Sequence, residues 1–475
     1  MLKEEIQRGF AENKLKSRQL VDFYFHRIQT LNPLLRSVVE VNPDARDQAD
    51  EADQERARFG TSGDLSSLHG IPVLLKDTIA TKDKLNTTAG SYALLGSVVP
   101  RDAGVVERLR RAGAVILGKA SLTEWYSFRS LGRIPNGCGS AISVAANMVA
   151  VSLGSETHGS LLCPADHNSA VGLKPTVGLA SRAGIVPILP RHDTIGPISR
   201  TVSDAVYVLD VIVGFDPQDY EATKEAAKFI PVGGYKQFLD PNGLRGKRLG
   251  VVRNPILGFL NGSSVIQDFE RHLNTMRERG ATVVDSLMIE NVDIILDPKR
   301  SGELTAMLAE FKVSLNDYLK EHISSPARSL SDIIAFNKNN PELATFIASD
   351  KTSGFGEKER QAIVLMQNLS RDGFEKLMMD NELDAMVIPC TGSIAMLAIG
   401  GHPGITVPAG YDGDGMPLGI CFGGLKGFEP RLIEIAYDFE QATMVRRPPL
   451  SKSFDVNREV LFGSVKSFGV IVYNC

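Results

Sequence analysis

The chain has 475 residues, more than the roughly 250 to 300 at which one hydrophobic core usually stops growing, so its length predicts several domains or one large layered domain. With 43% hydrophobic and 23% charged residues, 44 Gly and 24 Pro, the composition argues against disorder and indicates regular elements joined by many tight loops. The formal net charge of −4 provides no basic field, which argues against nucleic acid or an anionic membrane surface as a partner.

The pattern of apolar residues in the first half of the chain changes after the N-terminal segment. Residues 1–57 place apolar side chains at helical spacing between charged ones, which predicts an N-terminal helical segment that packs on a core. Short apolar runs between glycines and prolines then predict buried strands at 71–75 and 114–117, with a helix between them. This alternation of strand, helix and strand is typical of an α/β protein.

The second half begins after a connection rich in glycine and proline at 230–246. The pattern of residues 302–385 predicts mostly polar helices that form a cap-like region. An apolar run then predicts another strand at 385–389. Residues 449–475 have no counterpart in the preceding pattern and are predicted to be a C-terminal tail. The main domain is therefore expected to span 58–448.

Cysteine usage and the lack of long apolar runs indicate the cellular compartment of the protein. Its five cysteines, an odd number without a Cys-x-x-Cys pair, predict neither a disulfide framework nor a zinc site and favour a reducing compartment. Residues 1–13 are rich in charge rather than in the apolar side chains of a signal peptide, and no apolar run reaches the roughly 18 residues of a membrane-spanning helix. The sequence therefore predicts a cytoplasmic protein without a membrane partner.

A turn of small residues provides the first candidate for chemistry. Residues 154–160 read Gly-Ser-Glu-Thr-His-Gly-Ser and end at Ser160, shortly after the apolar run 149–151. If the backbone N–H groups of such a turn converge beside a serine hydroxyl, they form an oxyanion hole for acyl transfer. Taken alone, a Gly-Ser turn is more often only a turn.

Lys76 provides the second candidate because it directly follows the apolar run 73–75. Burial at the end of a strand would disfavour the ammonium form, lower the pKa of Lys76 and produce an amine that can take a proton from a serine. The alternative is that Lys76 extends to solvent or pairs with Asp77 or another acid.

Several runs, taken together, resemble the amidase signature family. They are His-Gly-Ile-Pro-Val-Leu-Leu-Lys-Asp at 69–77, the turn that ends at Ser160, and the segments 172–176, 193–205, 403–410 and 415–419. They occur in the family's order and cover roughly residues 1–445. The segment 156–165 is most similar to the peptide amidase branch and its plant and fungal relatives. The amidotransferase subunit that makes amidated aminoacyl-tRNA shares the family fold but resembles this segment less.

The resemblance implies an α/β fold, a single large α/β/α layered domain around a central mixed sheet. It implies that the chain hydrolyses a carbon–nitrogen amide bond of a small-molecule or peptide substrate, without a metal or other cofactor. Ser160 would be the nucleophile that forms an acyl intermediate, and Lys76 would be the base.

The resemblance also implies roles for neighbours of the nucleophile. The backbone amides of Thr157, His158 and Gly159 would form the oxyanion hole. Asp193 and Arg200 are expected to hold the scaffold by hydrogen bonds.

One position departs from the family pattern. The family relays the proton between lysine and nucleophile through a second serine, and the matching position here is Asn136, which follows a shortened loop. An asparagine amide cannot accept one proton and pass on another, although a water held by Asn136 or Ser140 would partly substitute. Asn136 therefore predicts impaired catalysis, and the alternative function is a weak or inactive amidase-fold protein that binds a small molecule.

A second departure is His158, at a position where relatives usually have glycine or aspartate. It could contact the substrate or replace the base. We interpret it as a residue at the pocket rim, because a catalytic triad also needs an acid that orients the histidine.

Overall fold

Eleven strands form one mixed β-sheet in the computed structural model, which describes residues 2–59, 65–129, 137–257, 264–338, 343–389 and 394–449. In chain order the strands are β1 (Val38–Val41), β2 (Pro72–Lys76), β3 (Val115–Ala120), β4 (Val151–Glu156), β5 (Val171–Lys174), β6 (Thr194–Ser199), β7 (Arg248–Val252), β8 (Thr282–Leu287), β9 (Ala385–Pro389), β10 (Gly404–Tyr411) and β11 (Pro417–Gly423). Their order across the sheet is β1-β3-β2-β4-β6-β5-β10-β11-β9-β7-β8.

Helices pack on both sides of this sheet. In chain order they are α1 (Leu2–Ala11), α2 (Ser17–Leu35), α3 (Ala45–Phe59), α4 (Gly104–Arg111), α5 (Gly139–Ala145), α6 (Leu162–His167), α7 (Val202–Ile212), α8 (Tyr220–Ala226), α9 (Ser264–Glu278), α10 (Val292–Ile295), α11 (Glu303–Lys320), α12 (Leu330–Phe336), α13 (Ala344–Asp350), α14 (Glu357–Leu369), α15 (Lys376–Asp380), α16 (Ile394–Gly400) and α17 (Glu429–Thr443). A π-helical turn, Ser370–Glu375, joins α14 to α15. The arrangement confirms the predicted α/β fold with a central mixed sheet.

Strand β2 shows how the two faces of the sheet are filled. It lies between β3 and β4 and is parallel to both, and helices cover both faces of this part of the sheet. A strand that is buried on both faces has a continuous apolar run, as β2 does. Val73 and Leu75 pack in the core formed with α4, α7, α9 and α17, whereas Leu74 packs with α2 and α5. Successive side chains alternate between faces, so Lys76 shares the face of Leu74, on which α5 lies.

The N-terminal segment contributes a strand as well as helices. Strand β1 pairs antiparallel with β3 at the edge of the sheet, with Val38 opposite Ala120. The segment also contains helices α1 and α2 and most of α3, but its prediction as helical did not include this strand. Val38, Val39 and Val41 are β-branched and suit a pleated edge better than a helix.

A second hydrophobic core lies beneath α11 to α14, which fall within the predicted cap-like region. Its centre holds aromatic side chains, including Trp125, Phe128, Phe311 and Phe346. Trp125 and Phe346 contact edge to face, with ring centroids 5.6 Å apart. This core places α11 against the loops that surround the candidate site.

Two further observations concern membranes and the end of the chain. Within the described ranges, no helix combines the length and apolar character needed to cross a membrane. The predicted tail at 449–475 lies, apart from its first residue, outside the described residues.

Candidate active site

The two candidate motifs meet at one edge of the sheet. Strands β2 and β4 are parallel neighbours, with Leu75 opposite Leu153, so their carboxyl ends lie side by side. Lys76 is the last residue of β2, and the turn that contains Ser160 begins where β4 ends. The Nζ atom of Lys76 donates a hydrogen bond to the carbonyl oxygen of Ser155, 2.8 Å away.

Lys76 is buried and has no partner of opposite charge among the described residues. Burial lowers its pKa to about 8, although the charges of Glu156 and Asp193 act in the opposite direction. Among the residues that the structure describes, no carboxylate lies within ion-pair distance of its Nζ atom. Asp77 instead accepts hydrogen bonds from the Thr88 side chain and from the Thr88 backbone N–H, 3.0 Å away. Lys76 therefore neither extends to solvent nor pairs with Asp77.

Several contacts fix the shape of the turn after β4. A carboxylate oxygen of Glu156 accepts hydrogen bonds from the backbone N–H groups of Leu161, 2.6 Å away, and Leu162, 3.1 Å away. Gly159 has a φ angle of +89°, and a Cβ atom there would lie 2.8 Å from the Ile394 side chain. Only glycine fits this position without strain.

Asp193 and Arg200 make extensive hydrogen bonds around this turn. The Asp193 carboxylate accepts from the Thr157 hydroxyl and from the backbone N–H groups of Ile188 and Leu189, at 2.9 and 3.0 Å. These contacts tie the turn to the loop before β6.

The Arg200 guanidinium lies at the C-terminal end of α5. It donates to the carbonyl oxygens of Val144 and Val149, at 2.8 and 2.9 Å. It thereby holds the C-terminal end of α5 next to the start of β4.

A small cavity of about 20 Å³ opens onto these elements. Residues from β2, α5, the turn after β4 and the segment after β3 line it, among them Lys76, Ser121, Thr123, Tyr126, Ser140 and Ser160. The structure thus brings the predicted base, the predicted nucleophile and one predicted relay substitute to the same cavity. No cluster of three or more metal-binding side chains occurs within the described parts of the chain.

The hydroxyl groups of Ser140 and Ser160 in this cavity are weakly engaged. The Ser140 hydroxyl donates to the carbonyl oxygen of Leu153 at 3.4 Å, the long end of the range for a hydrogen bond. Ser160 Oγ has no hydrogen-bond partner in the described structure. Asn136, the predicted relay position, lies outside the described residues. Cys138, just before α5, is disulfide-bonded, so the argument against disulfides from the cysteine count fails at this position.

His158 is held by an acid that the sequence did not reveal. Its Nδ1 atom lies 2.9 Å from Oε1 of Glu303, the first residue of α11, and Nδ1 of His192 lies 3.4 Å from the same oxygen. Burial opposes protonation of His158, but the Glu303 charge outweighs it and raises the pKa of His158. No local pattern indicates this pair, because 145 residues separate its members.

Comparisons with known proteins agree with this geometry. The family model described as Amidase matches residues 19–133 and 136–433, with its break next to the predicted shortened loop. The chain is 55% identical to a probable amidase of Arabidopsis thaliana, over 94% of this chain and 90% of the relative. It is 34% identical to a putative amidase of Schizosaccharomyces pombe, over 94% and 86% of the two chains.

A solved structure shares the fold over nearly the whole chain. The native peptide amidase from Stenotrophomonas maltophilia superposes with a TM-score of 0.87 and 38% sequence identity, covering 95% of this chain and 98% of that one. The family match and the shared fold support hydrolysis of amide bonds. The chain belongs to the amidase signature family.

Proposed function

We propose that the chain hydrolyses amide bonds through an acyl intermediate on Ser160, with Lys76 as the base. One observation carries this proposal. Lys76 is buried without a carboxylate partner in the described structure, and it lines the same cavity as Ser160. A lysine that only stabilised the fold would be expected to have its hydrogen-bonding capacity filled by fixed partners, whereas this one has one fixed acceptor and faces the cavity that Ser160 also lines.

The chemistry follows from the protonation state of Lys76. With a pKa of about 8, a substantial fraction of the side chain is a neutral amine near pH 7 to 8. A neutral amine keeps two N–H donors and one lone pair. The bond to the Ser155 carbonyl occupies one donor and orients the Nζ atom, and the lone pair remains free to accept a proton that originates on Ser160.

The turn after β4 would stabilise the negative charge that develops on the attacked carbonyl oxygen. Within the described structure, the backbone N–H groups of His158 and Gly159 donate to no other group. Together with the N–H group of Thr157, they are the proposed oxyanion hole. Glu156 fixes the following residues, so the donors need little reorganisation during the reaction.

The proton path between Lys76 and Ser160 lacks the second serine that relays the proton in the family. Asn136 occupies the relay position, and we propose that Ser140 or a water beside it carries the proton instead. The long Ser140 bond to Leu153 supports this role, because a weakly held hydroxyl can reorient at low cost. The second candidate function, a weak or inactive amidase-fold protein that binds small molecules, is favoured by Asn136 itself.

Ammonia release from peptide amides tests the proposal. Peptide amides are the first substrates to try, since a peptide amidase shares the fold over nearly the full chain. Wild type is compared with Ser160→Ala, and with Ser331→Ala as a control, because Ser331 lies on α12 outside the cavity. We expect Ser160→Ala to fall to the buffer rate and Ser331→Ala to match wild type. Equal rates for Ser160→Ala and wild type would refute the proposal.

The variant Asn136→Ser separates the two candidate functions. If the proton path limits a working enzyme, restoring a hydroxyl is expected to raise kcat by about tenfold or more, because general-base transfer contributes at least that much. If wild type already turns over peptide amides as fast as this variant, the weak-enzyme alternative fails. If wild type is inactive while the variant releases ammonia, the alternative holds for the natural chain.

A further inference from the structure

Tyr126 borders Lys76 inside the active-site cavity. The Nζ atom of Lys76 lies 4.8 Å from the centroid of the Tyr126 ring, within the range of a cation–π contact. The Tyr126 hydroxyl donates to the carbonyl oxygen of Val186 at 2.7 Å, which anchors the far end of the ring. Both side chains line the cavity that also contains Ser160.

The backbone around Tyr126 adopts an unfavourable conformation. Trp125, Tyr126 and Ser127 have φ angles of 50°, 56° and 63°, a region that side-chain-bearing residues rarely occupy. Contacts on both sides hold the segment there, since the Trp125 N–H group donates to the Ala89 carbonyl at 2.9 Å and Phe128 packs on Phe311 with ring centroids 4.8 Å apart. Strain of this kind persists only where surrounding contacts over-determine the conformation.

Few groups in the described structure stabilise the charged form of Lys76, and the Tyr126 ring is one of them. The Ser155 carbonyl oxygen accepts one hydrogen bond from Nζ. The charged groups that act on Lys76 from neighbouring elements are Glu156 at the end of β4 and Asp193 before β6, and neither is within ion-pair distance. The Tyr126 face therefore adds to the limited attraction that this buried ammonium group receives.

We propose that Tyr126 is a positioning residue for Lys76, with its ring face holding the amine at the end of β2. The proposal rests on the proposed function, in which Lys76 is the base. Tyr126 thereby sets the balance between the ammonium and the neutral amine, and so the pH at which the base becomes available.

The protonation of Lys76 can be followed directly, without any enzymatic activity. Protein labelled with ¹³C at lysine Cε is titrated by NMR, and the Lys76 signal is assigned by its loss in Lys76→Met. Burial also lowers the pKa of Lys119 and Lys174 to about 8, so these two lysines serve as internal references in the same spectra. Tyr126→Leu removes the ring, Tyr126→Phe keeps it, and Tyr220→Leu removes a surface contact of similar length, 4.9 Å from Lys224.

We expect Tyr126→Leu to lower the Lys76 pKa by about half a unit to one unit, because the ammonium form loses its aromatic partner. Tyr126→Phe and Tyr220→Leu are expected to leave it within about 0.2 units of wild type on the same reasoning. An unchanged or raised Lys76 pKa in Tyr126→Leu, with Lys119 and Lys174 unmoved, would overturn the proposal. Because the readout needs no turnover, this result is distinct from a failure of the proposed amide hydrolysis.

Discussion

Two buried lysines on adjacent strands differ in what surrounds their amines. Lys76 ends β2, Lys119 lies in β3, and Leu75 and Lys119 are directly paired in the sheet. Burial lowers the pKa of each to about 8. Lys119, however, donates to the Ile79 carbonyl at 2.7 Å and to the Thr87 hydroxyl at 2.9 Å, whereas Lys76 has one fixed acceptor and faces a cavity. A low pKa alone therefore does not distinguish a base from a structural lysine.

Replacing each lysine by methionine should separate the two roles most strongly. Lys76→Met is expected to reduce kcat/KM for a peptide amide by on the order of 10³-fold or more, because the proton acceptor is removed. Lys119→Met is expected to retain activity but to lower the free energy of unfolding by about 1 to 3 kcal/mol, because Ile79 and Thr87 lose a buried partner. Ammonia release and urea unfolding measure the two effects. Equal loss of activity in two folded variants would contradict the distinction.

The turn beside Lys76 can be perturbed with a matched backbone control. Gly159 and Gly246 both have positive φ angles, +89° and +77°, but a Cβ atom at Gly246 would meet nothing within 4 Å. Both alanine variants are expected to lose about 1 kcal/mol of unfolding free energy through backbone strain. Only Gly159→Ala is expected to lose activity, by about 10²-fold, because the proposed oxyanion donors shift. A fully active Gly159→Ala variant would argue against this oxyanion hole.

The pH dependence of the rate should follow Lys76. Because the amine accepts a proton only in its neutral form, kcat/KM is expected to rise about tenfold per pH unit below the pKa and to level off above about pH 8. Stopped assays between pH 6 and 9.5 with a neutral peptide amide measure the profile. In Lys119→Met, the rise of kcat/KM should occur over the same pH range as in wild type. A rate that falls as pH rises from 6 to 8 would be inconsistent with a lysine base.

The smallest effect is expected at the His158 pair. Glu303→Gln should lower the His158 pKa, because the carboxylate charge that raises it is lost, and NMR of the imidazole measures the shift. We expect kcat to change by less than about fivefold, because the His158 side chain contacts Glu303 and is not part of the cavity lining that includes Lys76 and Ser160. A loss of on the order of 10³-fold or more would instead identify His158 as the base and Glu303 as its orienting acid.

The sequence predicted the elements that depend on local pattern. The apolar run before Lys76 indicated a buried strand, and the small residues before Ser160 indicated a turn after β4. Their neighbouring positions followed only from the family resemblance, because the pairing of β2 with β4 joins residues 78 positions apart.

Two features had no signal in the sequence. Glu303 reaches His158 from a helix far along the chain, and Tyr126 contacts Lys76 through a backbone conformation that its residue types disfavour. In both cases tertiary contacts outweigh local preference, and such contacts cannot be inferred from a single sequence. The edge strand β1 differs, because its β-branched residues were a local signal within a segment whose apolar spacing is otherwise helical.

Mass spectrometry of a trapped acyl-enzyme tests the proposed chemistry most directly. Wild type, Lys76→Met, Lys119→Met and Ser160→Ala are mixed with an activated aryl ester, quenched in acid and digested. We expect an acyl group on the peptide that contains Ser160 in wild type and Lys119→Met, strong reduction in Lys76→Met, and none in Ser160→Ala. Acylation at another residue, or equal acylation of Lys76→Met and wild type, would contradict a Ser160 nucleophile activated by Lys76.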